Sequence, residues 1–247
     1  MTGILLDIHE LSKRFDGIVA SDAISLAVRQ GELHALIGPN GAGKTTLIGQ
    51  LAGEIVADSG TISFAGRDIT TLPIHRRSAL GLARTFQITS LFPEFTALDN
   101  VALAVQARAG HSYRFWHNAR ADRRLRGPAR EALGHVGLDG RADTLAANLS
   151  HGEHRQLEIA MALATRPRML LLDEPLAGMG INESRRMVAM LQQLKRRLTM
   201  LLVEHDLEAV FELADQITVL VAGRVIASGA PGEIRANPEV RIAYLGE

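Results

Sequence analysis

The chain has no cysteine among its 247 residues. That excludes disulfides, thiolate metal sites and cysteine nucleophiles. It also lacks an excess of either charge: 27 Lys and Arg stand against 27 Asp and Glu. A neutral chain gives no global argument for nucleic acid or a polyanionic surface. Long apolar runs are missing too, since no window approaches the ~18 uncharged apolar residues of a spanning helix. Met1 to Asp7 hold no basic stretch and no long apolar run, so no signal peptide is expected. The expectation is a soluble, intracellular chain; work at a membrane would need another chain to supply the spanning part. With 47% hydrophobic residues there is ample material for the core of one large domain, or of a domain with a subdomain.

What is present is most informative at Gly38 to Thr45, Gly-Pro-Asn-Gly-Ala-Gly-Lys-Thr. These residues match the phosphate-binding pattern G-x-x-x-x-G-K-[ST] at every fixed position. Gly38, Gly41 and Gly43 let the backbone turn tightly and approach a polyphosphate, so that successive N–H groups face its oxygens. Lys44 adds a point charge for the β- and γ-phosphates, and the Thr45 hydroxyl can ligate Mg²⁺. The candidate binding residues are therefore Gly38, Pro39, Asn40, Gly41, Ala42, Gly43, Lys44, Thr45 and Thr46. Leu33 to Ile37 reads as a strand leading into this loop. Thr45 to Leu51 reads as the helix leaving it, with its N-terminal dipole toward the anion.

Strands are expected at Ile4 to Ile8, at the alternation Ile24, Leu26, Val28, and at Thr61 to Phe64. Gly31-Glu32 and Asp58-Ser59-Gly60 read as turns between them. From about Leu98 to Leu149 the pattern is helical, punctuated by Gly127-Pro128 and by Gly137 to Gly140. Met169 to Leu172, Met200 to Val203 and Ile217 to Val221 are continuous apolar runs, as in parallel strands buried on both faces. Leu191, Leu194 and Leu198 mark one face of a helix between the first two. This is one α/β core with a helical insertion and no internal repeats.

Leu170 to Glu174 is an apolar strand ending in two carboxylates. Ligands of such sheets lie beyond the carboxyl ends of the strands. Asp173 is thus placed to reach Mg²⁺, and Glu174 to orient or deprotonate an attacking water. His205 follows Met200 to Val203 at the same edge and is a candidate γ-phosphate contact. A further anion site is read at Leu149-Ser150-His151-Gly152-Glu153. Ser150 sits where an N-cap belongs, Gly152 keeps the first turn open, and Leu157, Met161 and Ala164 form an apolar stripe behind.

Taken in order, Gly38 to Thr45, Gln87, Leu149 to Glu153, Leu170 to Glu174, the loop after Pro175 and His205 resemble the ATP-binding subunits of ABC transporters, over essentially the whole chain. The resemblance implies an α/β fold: a P-loop NTPase (RecA-like) core, an antiparallel β subdomain and an inserted helical subdomain. The division it suggests is 1–87 and 165–247 for the core with its β subdomain, and about 88–164 for the helical part. It implies ATP and Mg²⁺ as ligands, with Thr45, Gln87 and Asp173 toward the metal and Glu174, His205 and Gln87 in catalysis. It places Phe15 where an aromatic stacks on adenine; a buried core phenylalanine is the alternative. It implies a second cassette, identical or a paralogue, whose phosphate loop meets Ser150 and Gly152 head to tail. It also implies transmembrane permease subunits, and a location on the cytoplasmic face of the membrane.

Within the family the chain most resembles the cassettes of branched-chain amino-acid importers, through Gly81 to Gln87, Asp99-Asn100-Val101 and the tail from Asn237. Cassettes for urea or amides and for lipopolysaccharide export share parts of these, and a soluble non-transport ABC ATPase is the alternative class. Two departures stand out. His151 and Glu153 replace the usual glycine and glutamine, and Pro175 to Gly180 lacks the aspartate that usually crosses the dimer interface. Leu91, Phe92 and Phe95 read either as a permease docking groove or as core. Arg108 to Arg126 reads as a solvated helical face with core aromatics (Tyr113, Phe115, Trp116), as a nucleic-acid contact or as a lipid-headgroup contact. The first is preferred, and no nucleic acid is expected.

Overall fold

The computed structural model describes residues 3–85, 91–109 and 122–245. Gln87 and the cluster Tyr113, Phe115 and Trp116 lie outside the described residues. The chain opens with β1 (Ile4–Phe15) and β2 (Ile18–Arg29), paired antiparallel. β1 runs well beyond Ile8. Glu10 and Ala23 take positive φ where the register shifts, and past this bulge Leu11 is again buried opposite Ile24. β3 (Leu33–Ile37) leads to α1 (Lys44–Ala52), followed by β4 (Ser59–Phe64) and β5 (Arg67–Asp68). The expected turn at Asp58-Ser59-Gly60 is corrected: Ser59 and Gly60 belong to β4. The Asp58 carboxylate accepts from Lys13 Nζ at 2.8 Å and from the Arg14 N–H at 2.7 Å, so pairing with β1 already begins at Ser59.

The remaining strands, and the α-helices as far as Ala236, are α2 (Ile74–Ala79), β6 (Leu82–Arg84), α3 (Ala97–Ala109), α4 (Arg123–His135), α5 (His151–Ala164), β7 (Met169–Asp173), α6 (Ile181–Lys195), β8 (Thr199–Val203), α7 (Leu207–Leu213), β9 (Gln216–Val221), β10 (Arg224–Gly229) and α8 (Pro231–Ala236). Two sheets result. One is antiparallel, in the order β2-β1-β4-β5; the other has the order β10-β9-β3-β8-β7-β6 and is parallel except for β10.

The three apolar runs are strands buried on both faces, as expected. Alternate residues point into two different cores. Leu36, Leu171, Leu201 and Leu220 pack with α1 and the antiparallel sheet. Ile37, Leu172, Leu202 and Val219 pack on the other side with the helices, including Val101, Leu133, Leu157 and Leu191. One buried side chain of this kind is worth ~1.5–3 kcal/mol of transfer free energy. A slip of one residue would exchange the two faces of a strand.

Two expectations about helices are corrected. Gly127-Pro128 does not punctuate but lies inside α4. Ala129, Ala132 and Leu133 bury one face of that helix, and this tertiary packing outweighs the backbone bond that proline cannot make. Leu198 lies past the end of α6, whose buried face is Met187, Val188, Met190, Leu191 and Leu194.

α1 ends against a buried guanidinium. Arg77 is 3% exposed and donates to Gln50 O and Leu51 O at 2.6 and 2.8 Å, to Leu72 O at 2.8 Å and to Thr70 O at 2.9 Å. Carbonyls at a helix C-terminus have no partner within the helix. Arg77→Ala is therefore expected to destabilise the fold by about 2–3 kcal/mol, the cost of leaving buried acceptors unpaired. Urea unfolding of the purified variant measures this directly.

Candidate active site

The loop between β3 and α1 is shaped by close backbone approach. A Cβ on Gly38, where φ is +155°, would stand 2.1 Å from the Leu220 carbonyl oxygen. A Cβ on Gly43, where φ is +101°, would stand 2.1 Å from the Ala20 carbonyl oxygen. No other residue fits at either position without moving backbone. Gly43 caps α1 with no side-chain partner, and the first turn holds no acid. The helix end is thus left with free N–H donors and no competing anion, which suits a phosphate. Thr45 is exposed and Thr46 half-buried in the same turn.

Lys44 is buried, and its ammonium donates to Gly38 O at 2.7 Å and Pro39 O at 3.1 Å. Burial holds its pKa below the ordinary lysine value, against the opposing charges of Glu174 and Asp173. Those two acids are therefore its electrostatic partners, as the sequence places them. Asp173 ends β7 and is 3% exposed. Its Oδ2 accepts from Arg84 Nη2 at 2.9 Å, and Arg84 also pairs with Glu54. Its Oδ1 is buried with no hydrogen-bond partner among the described residues. Burial pushes the Asp173 carboxyl up, Arg84 pulls it down, and the net direction is upward. An orphaned, buried carboxylate oxygen beside a phosphate loop fits a divalent cation.

Glu174 has φ +49°, an uncommon conformation for a residue with a side chain. It is held there by its N–H, which donates to Val203 O at 2.9 Å. One Glu174 carboxylate oxygen lies 4.0 Å from His205 Nδ1. Lys44, Asp173, Glu174 and His205 thus gather at the carboxyl edge of β3, β7 and β8. Phe15 is 44% exposed with Lys13 Nζ 5.3 Å from its ring centroid, so the core alternative is corrected: the end of β1 carries an exposed aromatic side chain. The β1–β2 pair is tied to the loop, because Ala20 is the residue Gly43 abuts.

Ser150 caps α5, as its position predicts. Its hydroxyl accepts from the Glu153 N–H at 3.2 Å, and Glu153 accepts from the Ser150 N–H at 2.8 Å. Arg141 pairs with Glu153 at 3.0 Å. Burial raises the Glu153 pKa, but Ser150 and Arg141 outweigh it and hold the carboxyl below its ordinary value. The acid at position 153 is thus the second half of a capping box. Ser150, Gly152, Glu153 and Gln156 line a hollow of about 430 Å³ with Glu183 and Arg186. No phosphate-loop residue lines that hollow, so this chain presents the two candidate anion sites apart.

Leu91 lines an apolar cavity of about 240 Å³ together with Ile74, Leu82, Ala104 and Met161. Phe92 and Phe95 do not line it. Their rings are 5.3 Å apart, and Phe92 is 51% exposed, which removes the core alternative for Phe92. Asn100, fully buried, holds the segment by bonding both the Phe92 N–H and the Phe92 carbonyl. Arg84 and Glu204 are functional candidates that the sequence left without a role. The signal for both was available, since each is a charge beside an apolar strand.

Fold and loop define a phosphate-binding-loop nucleotide-binding protein. Residues 21–177 match the ABC transporter family, and residues 224–247 match the branched-chain amino acid ATP-binding cassette transporter family. The chain is 37% identical over 254 residues to the high-affinity branched-chain amino acid transport ATP-binding protein BraF of Pseudomonas aeruginosa, covering 100% of both. It is 38% identical over 255 residues to LivG of Salmonella typhimurium, again covering 100% of both. The crystal structure of the ADP conformation of MJ1267, an ATP-binding cassette of an ABC transporter, superposes with a TM-score of 0.87 at 30% identity, covering 100% of both chains. The chain belongs to the ABC transporter ATP-binding family, whose members are ATPases coupled to transport.

Lys44→Ala should weaken ATP binding about 10- to 100-fold, the worth of a charged hydrogen-bond donor. Equilibrium binding of ATP to the isolated chain reads this out, with far-UV circular dichroism to show that the fold is kept.

Proposed function

We propose that this chain hydrolyses ATP to energise import of branched-chain amino acids through separate membrane subunits, peripheral to the membrane on its cytoplasmic face. The observation that carries the substrate class is the C-terminal match at residues 224–247, beyond the segment 21–177 that matches the ABC transporter family, supported by full-length similarity to BraF and LivG. Among the described residues no helix is long and apolar enough to cross a membrane, which leaves the pathway to a partner. Residues 1–87 and 165–247 serve as the nucleotide-binding core with its β subdomain, and about 88–164 as a helical subdomain carrying Ser150.

In the catalytic role, residues Gly38 to Thr46 cradle the phosphates through backbone N–H groups, and Lys44 turns its ammonium from Gly38 O and Pro39 O to them. Asp173 Oδ1 and the Thr45 hydroxyl are the groups that would hold Mg²⁺, while Asp173 Oδ2 stays with Arg84. When bound, Mg²⁺ offsets charge on the β- and γ-phosphates. Glu174 orients the attacking water and takes its proton; His205 faces the γ-phosphate beside it; Phe15 stacks on the adenine. The separation of the Ser150 hollow from the phosphate loop favours a head-to-tail pair of cassettes, each completing the other's site. The cavity at Leu91 and Ile74, with exposed Phe92 nearby in sequence, suits a short helix of the permease.

Glu174→Gln should keep ATP binding and lose turnover by ~10²–10⁴-fold, as loss of a positioned base does. Near-normal hydrolysis by that variant in the assembled transporter rejects Glu174 as the base. With ATP trapped by Glu174→Gln, light scattering should show a dimer, and adding Ser150→Arg should return it to monomer with ATP still bound. Phe92→Glu should leave the isolated chain folded and ATP-binding but unable to co-purify with the permease; normal assembly would place the docking site elsewhere.

A further inference from the structure

Glu204 is 0% exposed, yet it is an acid at the end of an apolar strand. A buried carboxylate is costly unless hydrogen-bonded donors surround it. Here the donors are backbone. Oε1 accepts from the Leu176 N–H at 2.7 Å, and Oε2 accepts from the His205 N–H at 3.1 Å. Leu176 lies two residues after Glu174, and Ala177 donates back to the Glu174 carbonyl at 3.1 Å. One carboxylate therefore grips the loop that follows β7 with one oxygen and the segment that follows β8 with the other. Its Oε2 also lies 3.8 Å from His205 Nδ1.

We propose that Glu204 is a positioning residue for ATP hydrolysis, clamping the Glu174 loop to the His205 segment so that both side chains face one phosphate. The inference rests on the catalytic reading of Glu174 and His205. Two features support it. Glu174 sits at φ +49°, a conformation that persists only where surrounding bonds hold it. Its own N–H is bound to Val203 O at 2.9 Å, so Leu176 supplies the second anchor, two residues later. Moreover, Glu204 touches neither Lys44 nor the phosphate loop in any described contact, so it acts on geometry and not on nucleotide affinity. A neutral side chain of the same shape cannot replace it. Glutamine keeps one acceptor for Leu176 but turns an NH₂ toward the N–H of His205, and two donors cannot bond.

The test is Glu204→Gln in the transporter assembled with its membrane subunits, beside Glu174→Gln. Expected for Glu204→Gln is a fall in kcat of about 10- to 30-fold, the loss of one charge-assisted hydrogen bond, with KM nearly unchanged. ATP affinity of the isolated variant, by equilibrium binding, should stay within about twofold of the parent, well under the tenfold step of 1.4 kcal/mol. Glu204→Asp, which keeps both acceptors on a shorter arm, should recover part of kcat. Should Glu204→Gln fail to fold, Glu204→Asp carries the test: a kcat below the parent at unchanged affinity supports the clamp. A folded Glu204→Gln with parental kcat, or one that loses only ATP affinity, overturns the clamp while Glu174→Gln still reports on the base. If Glu174→Gln itself retains turnover, the catalytic reading falls and the clamp falls with it.

Discussion

The site depends on the register of three buried parallel strands. Leu36 of β3 stands opposite Val203 of β8, and Val203 stands opposite Asp173 of β7. One or two residues further along the chain from these lie Gly38, His205 and Glu174. A row across the sheet therefore becomes a row of candidate site positions just past its edge. The register is held by apolar side chains on both faces, packed into two separate cores. Neither core could keep its composition if one strand moved by a residue. The chemistry at the edge is thus a consequence of packing in the middle.

On this frame the buried charges divide by partner. Arg77 satisfies carbonyls at the end of α1 and serves the fold. Arg84 lies between Glu54 and Asp173, so one Asp173 oxygen is occupied and the other is left open. Among the described residues Lys44 has only carbonyl oxygens of its own loop as hydrogen-bond partners, which a phosphate can displace. A charge whose bonds are all to fixed neighbours is structural; a charge with a free lone pair or exchangeable partners is available for ligand. By that measure Lys44 and Asp173 can change partners, as can Glu158, whose Oε1 is also buried and unpartnered among the described residues, and Arg77 cannot.

Much of this was legible in the sequence. The phosphate loop is a local backbone motif, so its glycines and Lys44 identify it without any tertiary information. The strands β7, β8 and β9 were legible because burial on both faces leaves continuous apolar runs. The Ser150 cap was legible for the same local reason. What the sequence hid was decided at a distance. β1 continues past Glu10 because Leu11 is buried against β2, which no window of β1 reveals. Gly127 and Pro128 look like a stop, but Ala129, Ala132 and Leu133 find a core that keeps the helix going. β6 is only three residues long and exists because Leu82, Ala83 and Arg84 pair with β7. Phe15 and Phe92 could each have been core or surface, and only solvent exposure decides.

The two departures in the Ser150 segment gain a physical account when taken together. The Glu153 charge is matched by Arg141 and by the Ser150 N–H, which fixes the helix start. His151 Nε2 lies 3.1 Å from Ala177 O, in the loop that follows Glu174. Gly178, next in that loop, has φ +76°, and a Cβ there would stand 3.1 Å from the same imidazole nitrogen. The loop after Glu174 is therefore engaged within its own chain, by His151. Leu176 in that loop is also bonded to Glu204. This loop bonds inward at both Leu176 and Ala177. The start of α5, the Glu174 loop and the end of β8 are thereby bound into one piece.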